Sequence, residues 1–170
     1  MGTTRIKIQP LLTPDEGVYT SHVLRLIQSG TNKIYMQMQY IHPPDQAQDQ
    51  NFADLIDALI EKRQAGIDLR IILSQFQLGK WQDRLAQTGM PMDIIRVQHA
   101  VHNKGIVVDG HTVMVSSQNW SPDGVLRNRD AGVIIFNAGA AQYFERIFLH
   151  DWTNLATPIS EFSHATGGPD

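Results

Sequence analysis

The chain has 170 residues, of which 42% are hydrophobic and 18% charged, which excludes wholesale disorder and is enough for one well-buried core. Fourteen basic against seventeen acidic residues leave a net charge of −3, so no global positive field draws in nucleic acid. The absence of cysteine excludes disulfides and thiolate metal sites, no apolar run reaches membrane-spanning length, and Met1–Pro10 lacks the apolar stretch of a secretion signal.

Hydrophobic periodicity alternates between 2 and 3.6 along the chain, the pattern of an α/β protein. Arg5–Leu11 reads as a strand ended by the turn formers Thr13-Pro14-Asp15-Glu16-Gly17. Val18–Gln28 follows as a helix with Val23, Leu24 and Ile27 at helical spacing and Gly30 just past its end. Lys33–Ile41 alternates as a strand and His42–Gln50 is a polar loop. The clearest helix is Phe52–Ala65, capped by Asn51, with Phe52, Leu55, Ile56, Leu59 and Ile60 in one apolar stripe and Gly66 stopping it. Ile67–Leu73 is a buried strand, Gly79–Gln87 a short helix and Met92–Val97 another strand.

Beyond Val101, His102–Val108 and Thr112–Ser117 are two strands joined at Asp109-Gly110, a strong hairpin signal. Asn119–Arg129 is a loop, Ala131–Phe136 a strand, and Asn137 caps a last helix carrying Tyr143, Phe144, Ile147, Phe148 and Trp152. The expected architecture is a mixed sheet of about six to eight strands flanked by helices on both faces. It occupies residues 1–158 as a single domain, with 159–170 a disordered tail.

The hairpin gathers chemistry. His102 and Lys104 project from one face of their strand, and a two-residue turn at Asp109-Gly110 sets His102 opposite Ser117 and Lys104 opposite Val115, with Asn119 as the diagonal neighbour of His102. A lysine, a hydroxyl and an amide with no carboxylate among them suit the oxygens of a phosphate, and a histidine held there is a nucleophile or an acid/base. Asp109 has a backbone reason to be present, because the turn needs it. Trp120 either lines the pocket mouth or packs on the following loop. Arg127 and Arg129 either attract a polyanion or are solvated, and His42, His99 and His111 read as loop or surface residues.

The set His102-x-Lys104, Asp109, Ser117, Asn119 and Asp130 resembles the phospholipase D superfamily, the HKD phosphodiesterases, over His102–Ile135. A looser likeness covers Leu11–Leu73 through Leu12-Thr13-Pro14-Asp15, Tyr35-Met36-Gln37 and Ala65-Gly66-Ile67-Asp68-Leu69-Arg70. Ser116 stands where the family often has glycine, and Asp130 where many members have glutamate.

The resemblance implies a phospholipase D-like α/β/α sandwich and a two-step displacement through a phosphohistidine, with no metal and no cofactor. His102 attacks, Lys104 and Asn119 hold the non-bridging oxygens, Ser117 supports them, and Asp130 accepts the far ring N–H of His102. It also implies a second HKD half. Of seven histidines only His102 is followed two residues later by lysine, so that half comes from a homodimer mate or from a missing N-terminal domain. The opening Ile8–Asp15 resembles the start of second halves in longer members and favours the missing domain. The expected substrate is a phospholipid headgroup. The alternatives are a single-motif homodimeric endonuclease acting on DNA or RNA, and a non-catalytic half that scaffolds a partner.

Overall fold

The computed structural model describes residues 5–162. Eight strands form one sheet: β1 (Lys7–Leu12), β2 (Lys33–Gln37), β3 (Asp68–Leu73), β4 (Ile95–Val97), β5 (Lys104–Val108), β6 (Thr112–Ser116), β7 (Ala131–Phe136) and β8 (Thr157–Pro158). Their spatial order is β1-β7-β6-β5-β2-β3-β4-β8. Only β2–β3 and β3–β4 are parallel, so the sheet is mixed, as expected. Helices α1 (Val18–Ser29), α2 (Gln50–Gln64) and α3 (Lys80–Gln87) precede the hairpin, and α4 (Ala138–Asn154) follows it.

Strand alternation separates two cores. Ile34, Met36, Ile71, Ile106, Val108, Met114 and Ile134 meet Val23 and Ile27 of α1, Leu55, Ile56 and Leu59 of α2 and Leu85 of α3. On the other face Tyr35, Ile72, Val107 and Val113 meet Ala141 and Phe148 of α4. Three helices thus cover one face and a single helix the other. Asn137 caps α4 as read, its side chain accepting the Ala140 N–H.

Several boundaries differ from the sequence reading for identifiable reasons. β2 ends at Gln37; Ile41 forms only an isolated bridge to Trp120. α2 starts at Gln50, and neither Asn51 nor Asp49 caps it, because the buried Asp49 carboxylate is engaged by Arg127 at 2.6 Å. Met92–Ile94 forms a 3₁₀ turn and only Ile95–Val97 pairs. The tail does not begin at 159: Ile159 is buried in the main core, and Thr157–Pro158 adds an edge strand beside β4. Residues 163–170, also read as tail, lie outside the described residues.

The hairpin register is the correction that matters most. The turn closes through His111 N–H to the Val108 carbonyl, yet the ladder pairs Val108 with Thr112, so one extra residue is absorbed as a bulge. Every pairing therefore shifts by one. Lys104 faces Ser116, not Val115, and His102 lies before the strand instead of opposite Ser117.

A candidate phosphate site at the strand ends

The parallel strands β2, β3 and β4 all end at the edge of the sheet where β5 begins and β6 ends, since Gln37 pairs with Gly105 and Lys104 with Ser116. Ligands of open α/β sheets bind outside such carboxyl ends. His102 is exposed at this edge. Lys104 is 4% exposed; its ammonium donates to the His102 carbonyl at 2.7 Å and lies 3.5 Å from the ring Nδ1. Burial holds its pKa below the usual lysine range, while the charge of Asp130 acts in the opposite direction. The result is a desolvated cation beside an accessible imidazole.

The polar groups around this pair divide between the two faces of the hairpin. Ser116 shares the Lys104 face, and its hydroxyl is buried without a protein partner, as are both amide atoms of the fully buried Gln118 and Oδ1 of Asn119. The hydroxyl and the amide nitrogen in this set can donate to water or to a ligand oxygen, and the two amide oxygens call for a donor such as water. Gly132 sits directly across from Ser116, and a Cβ there would lie 2.5 Å from the Ser116 Cβ, so glycine in β7 makes the room that serine in β6 takes. Gly124 has a related role: its added Cβ would lie 2.2 Å from the Asn119 carbonyl, so only glycine lets the 121–127 turn close on the backbone of Asn119.

Ser117 and Asp130 are joined to each other. The Ser117 hydroxyl donates to Asp130 Oδ1 at 2.6 Å and accepts the Ala131 N–H at 3.1 Å. The direct contact expected between Asp130 and the His102 ring is not made; among the described residues no hydrogen bond joins them, because the carboxylate is turned to Ser117. The Asp130 backbone is pinned by Thr13, whose N–H reaches its carbonyl at 3.1 Å and whose hydroxyl accepts its N–H at 3.2 Å. Thr13 was readable only as a turn former, since its partner is 117 positions away.

Asp109 stands at the other end of β5. Its carboxylate accepts the backbone N–H groups of Thr31 (2.8 Å), Asn32 (2.9 Å) and Lys33 (2.9 Å) and the Thr31 hydroxyl (3.0 Å). Burial pushes its pKa up, but these donors outweigh it and hold the carboxyl below the usual range. At ~3.3 Å per residue the five residues from Lys104 to Asp109 span about 16 Å, too far for contact with a shared phosphate.

The remaining readings resolve as follows. Trp120 is fully buried, donating to the Tyr19 hydroxyl at 3.0 Å, so it packs and does not line a pocket. Arg127 is paired with Asp49 and Asp123, and Arg129 with Asp15 at 2.7 Å. His42 is more than a loop residue: it stacks between Tyr40 (3.9 Å) and Trp81 (3.8 Å), while its backbone N–H bonds the Trp120 carbonyl. Gln37, unremarked as a site residue, accepts from Asn103 beside His102 and donates to Asp151 at 3.0 Å.

Comparison with known proteins decides the family. The model of the "Cardiolipin synthase, PLD-like domain" family matches residues 23–152. The chain belongs to the phospholipase D-like family. Its relatives include proteins named phospholipase D from Rickettsia conorii, 27% identical over 89% of this chain and 70% of the relative, and from Rickettsia felis, 26% identical over 88% and 70%. Among solved structures, Nuc from Salmonella typhimurium, a phospholipase D family member, superposes with a TM-score of 0.72 at 23% identity, covering 90% of this chain and 97% of that one. NucT from Helicobacter pylori gives 0.72 at 13% identity over 89% and 99%. A phosphatidylserine synthase from Haemophilus influenzae gives 0.66 at 13%, with 91% of this chain matching 40% of the synthase. These structures share the phospholipase D-like fold, and the family is one of phosphodiesterases.

Proposed function

We propose that the protein hydrolyses or transfers phosphodiesters by two displacements at phosphorus, each proceeding through an imidazole. A ring nitrogen of His102 attacks; the new P–N bond forms as the P–O bond to the leaving alcohol breaks, and a second HKD half delivers a proton to that oxygen. Water or an alcohol then attacks the phosphohistidine and restores the imidazole. Lys104 and Asn119 hold the non-bridging oxygens and offset the charge that develops in the transition state. Ser117 and Asp130 act as one unit that fixes the end of β6, a positioning role. Asp109 is structural. The scheme calls on no metal or cofactor.

The observation that carries this reading is the buried ammonium of Lys104 beside the exposed ring of His102 at the strand ends. A phospholipid headgroup is the substrate class favoured. The relatives named phospholipase D support it, and so does a net charge of −3 with Arg127 and Arg129 already paired. The second half is a second copy of this chain. The 154 positions aligned to the Rickettsia conorii relative are 70% of it, so that protein is about 220 residues long, too short for two domains of this size.

The test is a pair of assays in EDTA, on phosphatidylcholine vesicles and on plasmid DNA, with His102→Ala as control. Headgroup release that disappears in His102→Ala supports the lipid reading. Cleavage of DNA alone assigns the endonuclease reading, and no turnover of either leaves the scaffold reading. Activity abolished by EDTA contradicts the mechanism.

A further inference from the structure

His102 does not sit in a strand. The ladder of β5 begins at Lys104, so His102 and Asn103 lie outside its pairings with both β2 and β6. Upstream the segment is anchored by the buried Val101 and by Ala100, a left-handed residue (φ 61°) whose N–H donates to Gln75 Oε1 at 2.9 Å. Between these anchors two side chains hold it. The Lys104 ammonium reaches back to the His102 carbonyl, and the Asn103 amide donates to Gln37 Oε1 at 2.7 Å.

Gln37 is placed to receive that bond. It is the last residue of β2 and pairs with Gly105, which makes it the diagonal neighbour of Asn103 on the α4 face of the sheet. It is 7% exposed, and its amide nitrogen donates to Gln98 Oε1 (3.2 Å), just beyond β4, and to Asp151 Oδ2 (3.0 Å), near the end of α4. A carboxylate only accepts, so Asp151 draws the Gln37 nitrogen towards itself and leaves the Gln37 oxygen facing Asn103. Asn103 must then present its NH2 group. An orientation set at α4 is in this way passed through one buried amide to the residue after His102. Side chains alternate along extended backbone, so an Asn103 side chain held on the α4 face directs His102 and Lys104 to the opposite one. The 3.5 Å between the Lys104 ammonium and His102 Nδ1 fits that shared side.

We propose that Gln37 and Asn103, oriented by Asp151, are positioning residues that aim the His102 ring at phosphorus without touching substrate themselves. The proposal rests on the two-displacement reading above, in which His102 is the nucleophile. A misplacement of about 1 Å costs such a group about 10²-fold in rate, and substrate binding is untouched, so the effect falls on kcat and not on KM.

Asn103→Ala is the first variant, because Asn103 is exposed and the fold does not depend on its burial. It is expected to lower kcat by about 10–100-fold, with KM within about threefold of wild type and an unchanged thermal midpoint. Gln37→Met removes the same bond from the buried side and is expected to match that loss where it is folded. The double variant is expected to be no slower than the slower single one, since both lose one shared bond. Backbone ¹⁵N relaxation gives a readout that needs no turnover: in Asn103→Ala the order parameters of the His102 and Asn103 amides are expected to fall from about 0.85 towards 0.6, with those of Lys104–Val108 unchanged. A kcat within twofold of wild type, losses that multiply in the double variant, or unchanged order parameters at 102 and 103 overturns the proposal. Loosened amides in Asn103→Ala, where wild type turns over no phosphodiester, uphold the link and remove the two-displacement reading instead.

Discussion

The Asp109 carboxylate gives the sharpest separation of fold from chemistry. Asp109→Ala removes an acceptor that serves three backbone N–H groups and one hydroxyl, and leaves alanine at φ 52°. A net hydrogen bond contributes about 0.5–1.5 kcal/mol, and because the freed groups lie near the surface and rehydrate, the four together contribute about 3 kcal/mol. With roughly 1 kcal/mol for left-handed backbone, the expected loss is about 4 kcal/mol. Asp109→Asn keeps one acceptor oxygen and tolerates the left-handed conformation, and is expected to lose about 1–2 kcal/mol. Because the folded carboxyl is held below its unfolded pKa, its contribution is present above the unfolded value and fades as pH falls through the folded one. Urea unfolding at neutral and acidic pH measures both terms, and kcat/KM is taken where each variant is folded. The reasoning fails if Asp109→Asn retains full stability while kcat/KM falls a hundredfold or more, since a residue about 16 Å along the strand from Lys104 would then be acting in the chemistry.

Other perturbations reach different parts of the account. Gly132→Ala drives a methyl against the Ser116 side chain, and is expected to cost about 1–3 kcal/mol in chemical denaturation, with Ser116→Gly restoring most of it in the double variant. Lys104→Met removes a buried ammonium at near-constant volume; the melting temperature should hold or rise while kcat falls by about 10²–10³, and equal losses of both would make Lys104 merely structural. Burial between Tyr40 and Trp81, reinforced by Arg84 and Lys80 against the pull of the Phe76 carbonyl, lowers the His42 pKa from 6.5 to about 4. The unfolded chain then binds the extra proton first, so His42 draws stability down as pH falls from 6.5 towards 4. The difference in unfolding free energy between wild type and His42→Phe should therefore change across that window, and a constant difference refutes the assignment.

What was legible in the sequence was what local periodicity encodes. The apolar stripe of Phe52 to Ile60 and the alternating Ile106–Val108 run need only their own spacing to declare a helix and a strand, and the spaced polar set from His102 to Asp130 pointed to the family that the comparison shows. What was hidden depends on distant partners. The bulge at His111 that shifts the register accompanies an Asp109 side chain tied to Thr31, Asn32 and Lys33, a pairing more than seventy residues away in sequence. The same is true of Thr13 beneath Asp130, and of the two-residue strand Thr157–Pro158, whose proline and brevity carry no strand signal. The pairing of Asp130 with the His102 ring was what the family resemblance implied. The ladder sets Ser117 beside Ala131, within reach of Asp130, and the hydroxyl takes the bond.

The central claim is that His102 becomes covalently phosphorylated during turnover. Wild-type protein rapidly quenched in base during turnover of a phosphodiester labelled at phosphorus is the direct measurement, with the label located by peptide mass spectrometry. The account predicts an acid-labile, base-stable phosphoryl adduct on His102 that is lost in His102→Ala. Turnover without any adduct on His102, or an adduct on another side chain, contradicts it.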